Sequence, residues 1–187
     1  MGSLKKGFYM AIELLLKLAL SPRLRASILS FSGAKIGHNV RVYSCTFINL
    51  KEGFRHLVIG DDVHIGTGCL IDLEGEVNIG KGSTISPRVT IISHTDAGSA
   101  HGSPIANLYP PSCSGISIGE FSWIGACSTL LDGAVVGDRT IVGAMSLVRG
   151  RLENSKLYVG IPARPIKELR ETPDGGNLKR RCKPENR

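Results

Sequence analysis

An apolar, usually branched residue returns every six positions along most of this chain, and glycine often follows it. The pattern reads Ile59-Gly60-Asp61-Asp62-Val63-His64, then Ile65-Gly66-Thr67-Gly68-Cys69-Leu70. It resumes later as Ile118-Gly119-Glu120-Phe121-Ser122-Trp123, Ile124-Gly125-Ala126-Cys127-Ser128-Thr129 and Leu130-Leu131-Asp132-Gly133-Ala134-Val135. A unit this short cannot bury its apolar face alone. It must stack on copies of itself, so the chain is constrained to a solenoid.

Leading residues fall at Ile36, Val42, Ile48, Ile59, Ile65, Ile71, Ile79, Ile85, Ile91, Ile118, Ile124, Leu130, Val136, Val142 and Val148, and eight of these fifteen precede glycine. A branched residue suits a short strand whose side chain points into a narrow interior. The glycine permits a sharp bend. Four places after the lead stands a small or β-branched residue, as at Val63, Cys69, Ser83, Ser122, Ser128 and Ser146, which fits a crowded corner. A β-sandwich, the competing arrangement, alternates with period two and turns about every 8–12 residues.

The beat stops at Asp96 and resumes near Ile116. Residues 97–115 hold no repeat slot, and long excursions from a regular scaffold are functional or disordered. His94 stands just before this loop, in Ile92-Ser93-His94-Thr95-Asp96.

The ends differ from the middle. Net charge is +7, but residues 1–35 carry six basic and one acidic, 36–148 six basic and ten acidic, and 149–187 eleven basic and five acidic. Residues 4–29 read as helical, with Phe8, Ile12, Leu15, Leu16 and Ala19 on one face and a break at Ser21-Pro22. The apolar run 8–20 is too short and too charged to span a bilayer, and no secretory cleavage pattern follows it. It is expected to cap the solenoid's open end. A peripheral contact with the inner face of the plasma membrane, aided by Lys5, Lys6, Arg23 and Arg25, is compatible with that role. Residues 170–187, rich in Pro, Gly, Asn, Lys and Arg, read as a loosely docked tail. The five cysteines form no CxxC pair and read as buried, reduced thiols of a cytoplasmic protein, not as metal ligands. The basic residues form no aromatic-interleaved face, which argues against nucleic acid.

The pattern resembles the hexapeptide-repeat acyltransferases over about residues 36–166. The resemblance implies an all-β solenoid, a left-handed parallel β-helix with three hexapeptides per triangular coil. Coils are expected near 36–53, 59–76, 79–96, 118–135 and from 136, with 54–58 and 77–78 as insertions. An N-terminal helical cap over 1–35 and a short C-terminal helix or tail over 167–187 complete the organisation.

It also implies roles. In the sugar and surface-polysaccharide acetyltransferases of that family a histidine opens such a loop and serves as general base toward the acceptor hydroxyl. His94 is the matching position, and an imidazole titrating near neutrality suits the task. His101, on the loop, is the alternative base. Independently of the resemblance, Asp96 is a candidate to orient the imidazole, as is another carboxylate or a backbone carbonyl. Ser122-Trp123-Ile124-Gly125-Ala126 resembles the family's Val-Trp-Ile-Gly-small segment, which assigns the acceptor and acyl site to Trp123, coenzyme contacts to Trp123, Gly125 and Ala126, and the oxyanion to the Ala126 N–H. Val142-Gly143-Ala144-Met145-Ser146 resembles its Ile-Gly-Ala-Gly-Ser segment, so Gly143 and Ala144 would line the pantetheine arm, with Met145 departing from the usual glycine. Tyr158-Val159-Gly160-Ile161-Pro162-Ala163-Arg164-Pro165 resembles the closing motif, with Arg164, helped by Arg149 or Arg151, facing coenzyme A phosphates. Loop residues His101, Asn107 and Tyr109 are expected to contact a saccharide acceptor. Acetyl-CoA is the implied co-substrate, no metal is required, and a homotrimer with the site at a subunit interface is implied.

Other readings compete. The acceptor could be an amine of a sugar or antibiotic. Cys113 or Cys127 could act as a nucleophile. The zinc carbonic-anhydrase-like branch of the fold needs three converging histidines, and His64 and His94 occupy different slots. A non-catalytic scaffold is the fourth alternative.

Overall fold

The computed structural model describes residues 3–170 of the 187-residue chain. Helices α1 (Ser3–Leu18) and α2 (Pro22–Phe31) lead into the first coil, β1 (Lys35–Ile36), β2 (Arg41–Val42) and β3 (Cys45–Ile48). The second coil is β4 (Leu57–Ile59), β5 (His64–Ile65) and β6 (Cys69–Asp72), and the third β7 (Val77–Ile79), β8 (Thr84–Ile85) and β9 (Thr90–Ile91). A loop carrying a 3₁₀ turn (Ser99–His101) and α3 (Pro104–Leu108) follows. Then come β10 (Ile116–Ile118), β11 (Trp123–Ile124) and β12 (Thr129–Leu130), and next β13 (Val135–Val136), β14 (Ile141–Val142) and β15 (Leu147–Val148). The last strands are β16 (Arg151–Leu152), β17 (Lys156–Val159) and β18 (Arg164–Glu168).

Every third strand pairs in parallel, so the strands form three faces. The first runs β1-β4-β7-β10-β13-β16, the second β2-β5-β8-β11-β14-β17, and the third β3-β6-β9-β12-β15. The leading apolar residues stack through the centre. Ile65, Ile85, Ile124 and Val142 are register neighbours, as are Ile71, Ile91, Leu130 and Val148, and all are fully buried. The loop is absorbed within one step of this ladder, since Ile85 on β8 pairs directly with Ile124 on β11.

Four expectations need correction. In the first coil the interior slot of the third face belongs to Phe47, not Ile48. Phe47 pairs with Ile71 and Ile48 with Asp72, because only Tyr43 and Ser44 separate β2 from β3. Residues 57–58 and 77–78 are not insertions but the starts of β4 and β7, which pair with each other. The glycine after the lead is not a bend residue. The left-handed conformation falls two positions later, at Asp62, Arg88, Cys127, Arg139 and Met145. Glycine is required by the spacing between coils: a Cβ on Gly125 would lie 2.5 Å from the Ala144 backbone nitrogen. Finally, Arg164–Glu168 returns as a strand antiparallel to β17, so 167–168 are not helix or tail. The tail reading from 171 on lies outside the described residues.

The small slot is polar for a reason. Ser122 is buried, its hydroxyl donates to the Gly137 carbonyl at 2.7 Å, and it accepts the Thr140 N–H at 3.1 Å. Ser128 does the same toward Gly143 and Ser146, and Ser146 accepts the Gly160 N–H. Each hydroxyl bridges one coil to the next, so the buried polar atoms are satisfied.

The helices close the first coil. Leu29 and Ala26 of α2 and Ile12, Leu16 and Ala19 around α1 are buried with Phe54, which meets Phe47 edge-on at 5.4 Å and Tyr9 at 6.3 Å. Leu15, expected on that inner face, is instead half exposed. The Phe8 side chain lies outside the described residues.

Candidate active site

β9 ends one residue before Ile92, and the chain leaves the coil through Ser93 and His94. Beneath them lies Asp72, at the end of β6 in the preceding coil and fully buried. Its Oδ2 accepts from Ser93 N–H at 2.9 Å, Ser93 hydroxyl at 3.0 Å and His94 Nδ1 at 2.6 Å. Its Oδ1 accepts from Asn49 Nδ2 at 2.8 Å and Glu74 N–H at 3.2 Å. Burial alone would push this carboxyl up, but the hydrogen bonds from His94, Asn49, Glu74 and Ser93 outweigh it and hold it below the usual range. Asp72 is therefore a carboxylate, and it accepts the hydrogen bond of His94 Nδ1–H. The Nε2 of His94 is left as an acceptor.

The carboxylate that bonds His94 is thus Asp72, not the expected Asp96. Asp96 braces the loop: its Oδ1 accepts Gly98 and Ser99 N–H at 2.9 and 2.7 Å, and its Oδ2 accepts the Ser99 hydroxyl at 2.9 Å. These bonds, the Ser99 N–H first, draw its carboxyl down. The neck of the loop is a two-way bridge between Thr95 and Ser112 at 2.8 and 2.9 Å. Asp132 of the following coil accepts the Ser112 hydroxyl and the Ser114 N–H.

A cavity of about 340 Å³ opens beside His94, lined by Asn49, Lys51, Glu74, Thr95, Asp96, Ser99, Pro111, Ser112 and Cys113. Lys51 and Glu74 pair across it at 2.6 Å. His101, Asn107 and Tyr109 do not line it; all three are exposed farther out on the loop. The cysteines are not all buried as expected: Cys69 is, but Cys113 and Cys127 are exposed. Partial desolvation and the carboxylates of Glu74, Asp132 and Asp72 push the Cys113 thiol up, which disfavours the thiolate a nucleophile requires. His64 lies on the second face, its ring tilted 46° against Tyr43 at 5.1 Å, away from His94.

The other matched segments occupy a different edge. Trp123 points outward from β11, half exposed, with Nε1 donating to Ser86 Oγ at 2.8 Å. Gly125 and Ala126 turn the edge between the second and third faces, and Gly143 and Ala144 turn it one coil on, tied by Met145 N–H to the Ala126 carbonyl at 2.9 Å. Among the described residues neither the Ala126 nor the Ala144 N–H has an acceptor. Met145 is largely exposed on the same edge. Arg164 follows as the register partner of Val159. Arg149 does not join them: it follows β15 on the edge that carries His94. The third face therefore separates His94 from Ala126 by one side of the triangle, roughly 20 Å at about 3.3 Å per residue.

Sequence patterning missed Asp72, Asn49, Lys51, Glu74 and Ser112. The one readable signal is a carboxylate directly after the lead Ile71, where eight of the fifteen units carry glycine.

Known proteins share this architecture. The bacterial transferase hexapeptide (six repeats) family model matches residues 115–150. An Escherichia coli protein described as the lipopolysaccharide biosynthesis O-acetyl transferase WbbJ is 32% identical over 118 residues, 60% of each chain. The chain thus spans less than two thirds of that relative. The Escherichia coli dTDP-4-amino-4,6-dideoxy-D-glucose acyltransferase is 32% identical over 148 residues, 77% of this chain and 76% of that protein. Among solved structures, the hexapeptide-repeat acetyltransferase VCA0836 of Vibrio cholerae superposes with a TM-score of 0.71 at 21% identity, covering 86% of this chain and 88% of that one. A point mutant of AntD, an N-acyltransferase from Bacillus cereus in complex with dTDP and coenzyme A, gives 0.62 at 28%, covering 74% of both. The stacked three-faced coils are a left-handed parallel β-helix, and the chain belongs to the hexapeptide-repeat acyltransferase family.

Proposed function

We propose that the protein transfers an acetyl group from acetyl-CoA to a hydroxyl of a sugar or surface-polysaccharide precursor, with His94 as general base. The observation that carries this reading is the 2.6 Å bond from His94 Nδ1 to the buried Asp72 carboxylate beside an open cavity.

The chemistry follows from that tautomer. His94 Nε2 takes the acceptor hydroxyl proton as the oxygen attacks the thioester carbonyl. The resulting imidazolium is stabilised by Asp72 and returns the proton to the departing coenzyme A thiolate. No acyl-enzyme forms. Asp72 is a positioning residue, fixing tautomer and ring orientation. The Ala126 N–H is a fixed donor of the kind an oxyanion requires.

His94 and Ala126 stand on different edges of one chain. With the homotrimer that the family resemblance implies, a complete site would be built between subunits, His94 from one and Trp123, Gly125, Ala126, Gly143, Ala144 and Arg164 from its neighbour. Arg149, on the His94 edge, would approach the coenzyme from the first subunit. His101, Asn107 and Tyr109 are left to contact an acceptor too large for the cavity, or the neighbouring subunit.

His94→Ala should lower turnover by about 10²–10⁴-fold without changing the assembly. Turnover within about tenfold of wild type would remove His94 from the chemistry.

A second reading is acylation of an amino sugar. It is favoured by the similarity to the dTDP-amino-sugar acyltransferase and to AntD, an N-acyltransferase. Hydroxyl and amino sugars assayed side by side on nucleotide carriers decide between the two.

A further inference from the structure

We infer that the helical cap is a membrane-docking surface and that its partner is an anionic lipid bilayer. The inference concerns where the enzyme works and does not depend on the acceptor.

Helix α1 is apolar on two sides. Ile12, Leu16 and Ala19 pack inward against the first coil. On the other side Leu14, Leu15 and Leu18 are 57%, 53% and 66% exposed. Their spacing places them on one continuous outer stripe, joined by the exposed Ala11. A surface helix ordinarily turns a polar face to water, and one that is apolar nearly all round is covered by something. Helix α2 repeats the arrangement: Leu29 and Ala26 are buried, while Leu24 and Phe31, seven residues apart on one face, are exposed. Five large apolar side chains thus stand in water on two adjacent helices.

Charge selects the partner. Residues 1–35 carry six basic and one acidic side chain, and the described Lys17 and Arg23 are exposed and adjoin Leu18 and Leu24 in the chain, with Arg23 also donating to Asn39 Oδ1 at 3.2 Å. Two copies of this face would bring like charges together. An anionic leaflet offers the opposite charge and an apolar layer for leucine and phenylalanine. None of the described helices is long and apolar enough to cross a membrane, so the cap lies on the surface. The crevice beneath the cap, lined by Tyr9, Phe31, Gly33 and Arg55, shares Lys51 with the cavity at His94. A docked cap would hold that cavity close to the lipid surface.

The test is flotation of the full chain with vesicles of equal parts phosphatidylglycerol and phosphatidylcholine, and with phosphatidylcholine alone. Binding is expected only to the anionic vesicles and should weaken with salt. The double variant Leu14→Ser/Leu18→Ser should bind at least about tenfold more weakly. Lys17→Glu/Arg23→Glu should also weaken binding while leaving the leucines in place. Both pairs are exposed, and circular dichroism with sedimentation checks folding and assembly. Failure of the wild-type chain to float, or leucine variants that float equally well, would overturn the inference. Dissociation of the assembly in the leucine variants, with no wild-type flotation, would assign the face to a second copy instead.

Discussion

A buried carboxylate keeps its charge only if donors surround it, and Asp72 has five. Asparagine there would present an amide in place of one acceptor oxygen and disturb the bond to His94. Asp72→Asn should lower kcat by about 10²–10⁴-fold. A positioning role is distinguished from a merely structural one by an unchanged KM for acetyl-CoA and by loss of the fixed Nδ1–H tautomer in the nitrogen-15 spectrum of His94. The same cluster sets an acid limit on stability. The Asp72 carboxyl is held below its ordinary value of 3.8 in the fold. The unfolded chain then binds its proton more readily, so the cluster stabilises the fold above that pH and loses its effect as pH falls through the lowered value. The stability gap between wild type and Asp72→Asn, about 1–3 kcal/mol at neutrality, should shrink below pH 3.8. A gap that stays constant in denaturation experiments down to the acid transition would show that Asp72 is not the linked group.

Between coils, the hydroxyl ladder explains why so many corner slots are serine or threonine. Ser122→Ala removes the acceptor of the Thr140 N–H and the donor to Gly137 in one change. Unsatisfied buried groups cost about 1–3 kcal/mol, which corresponds to about 2–4 °C in Tm per kcal/mol at this size. Calorimetry of the variant checks this, and a Tm unchanged within error would refute the ladder's role. The repeat is legible in the sequence because it is local: six residues suffice to show lead, glycine and small slot. What joins one coil to the next is not, because a rung depends on how many residues each corner uses. A corner shorter by one residue puts Phe47 rather than Ile48 inside. The same blindness hides Asp72, which reaches His94 across a rung, and favours Asp96, which is near in sequence but caps the loop. The cap is half legible. Helical period identifies two helices, but a stripe apolar on both sides cannot state which side faces the coil, so Leu15 reads as inward when it is half exposed.

For the whole molecule, the parts matched by the family resemblance fall on two edges of the solenoid with the third face between them. The interruption of the repeat places His94, Asp72 and the cavity on one edge, while the unbroken beat carries Trp123, Ala126 and Ala144 along the other, where the returning β18 adds Arg164. On the proposed function, transfer occurs where one copy's His94 meets another copy's Ala126 N–H. Proline can remove that N–H without breaking the edge, since Pro87 occupies the same corner one coil earlier and its carbonyl accepts the Cys127 N–H at 3.1 Å. Ala126→Pro alone should lower turnover by about 10²–10³-fold. The most direct measurement is the activity of mixed assemblies purified through two different tags, one on His94→Ala chains and one on Ala126→Pro chains. Each variant alone should be nearly inactive, and mixed assemblies should recover turnover because some interfaces join an intact His94 to an intact Ala126. Mixed assemblies that form but stay as inactive as either parent would contradict a site shared between subunits.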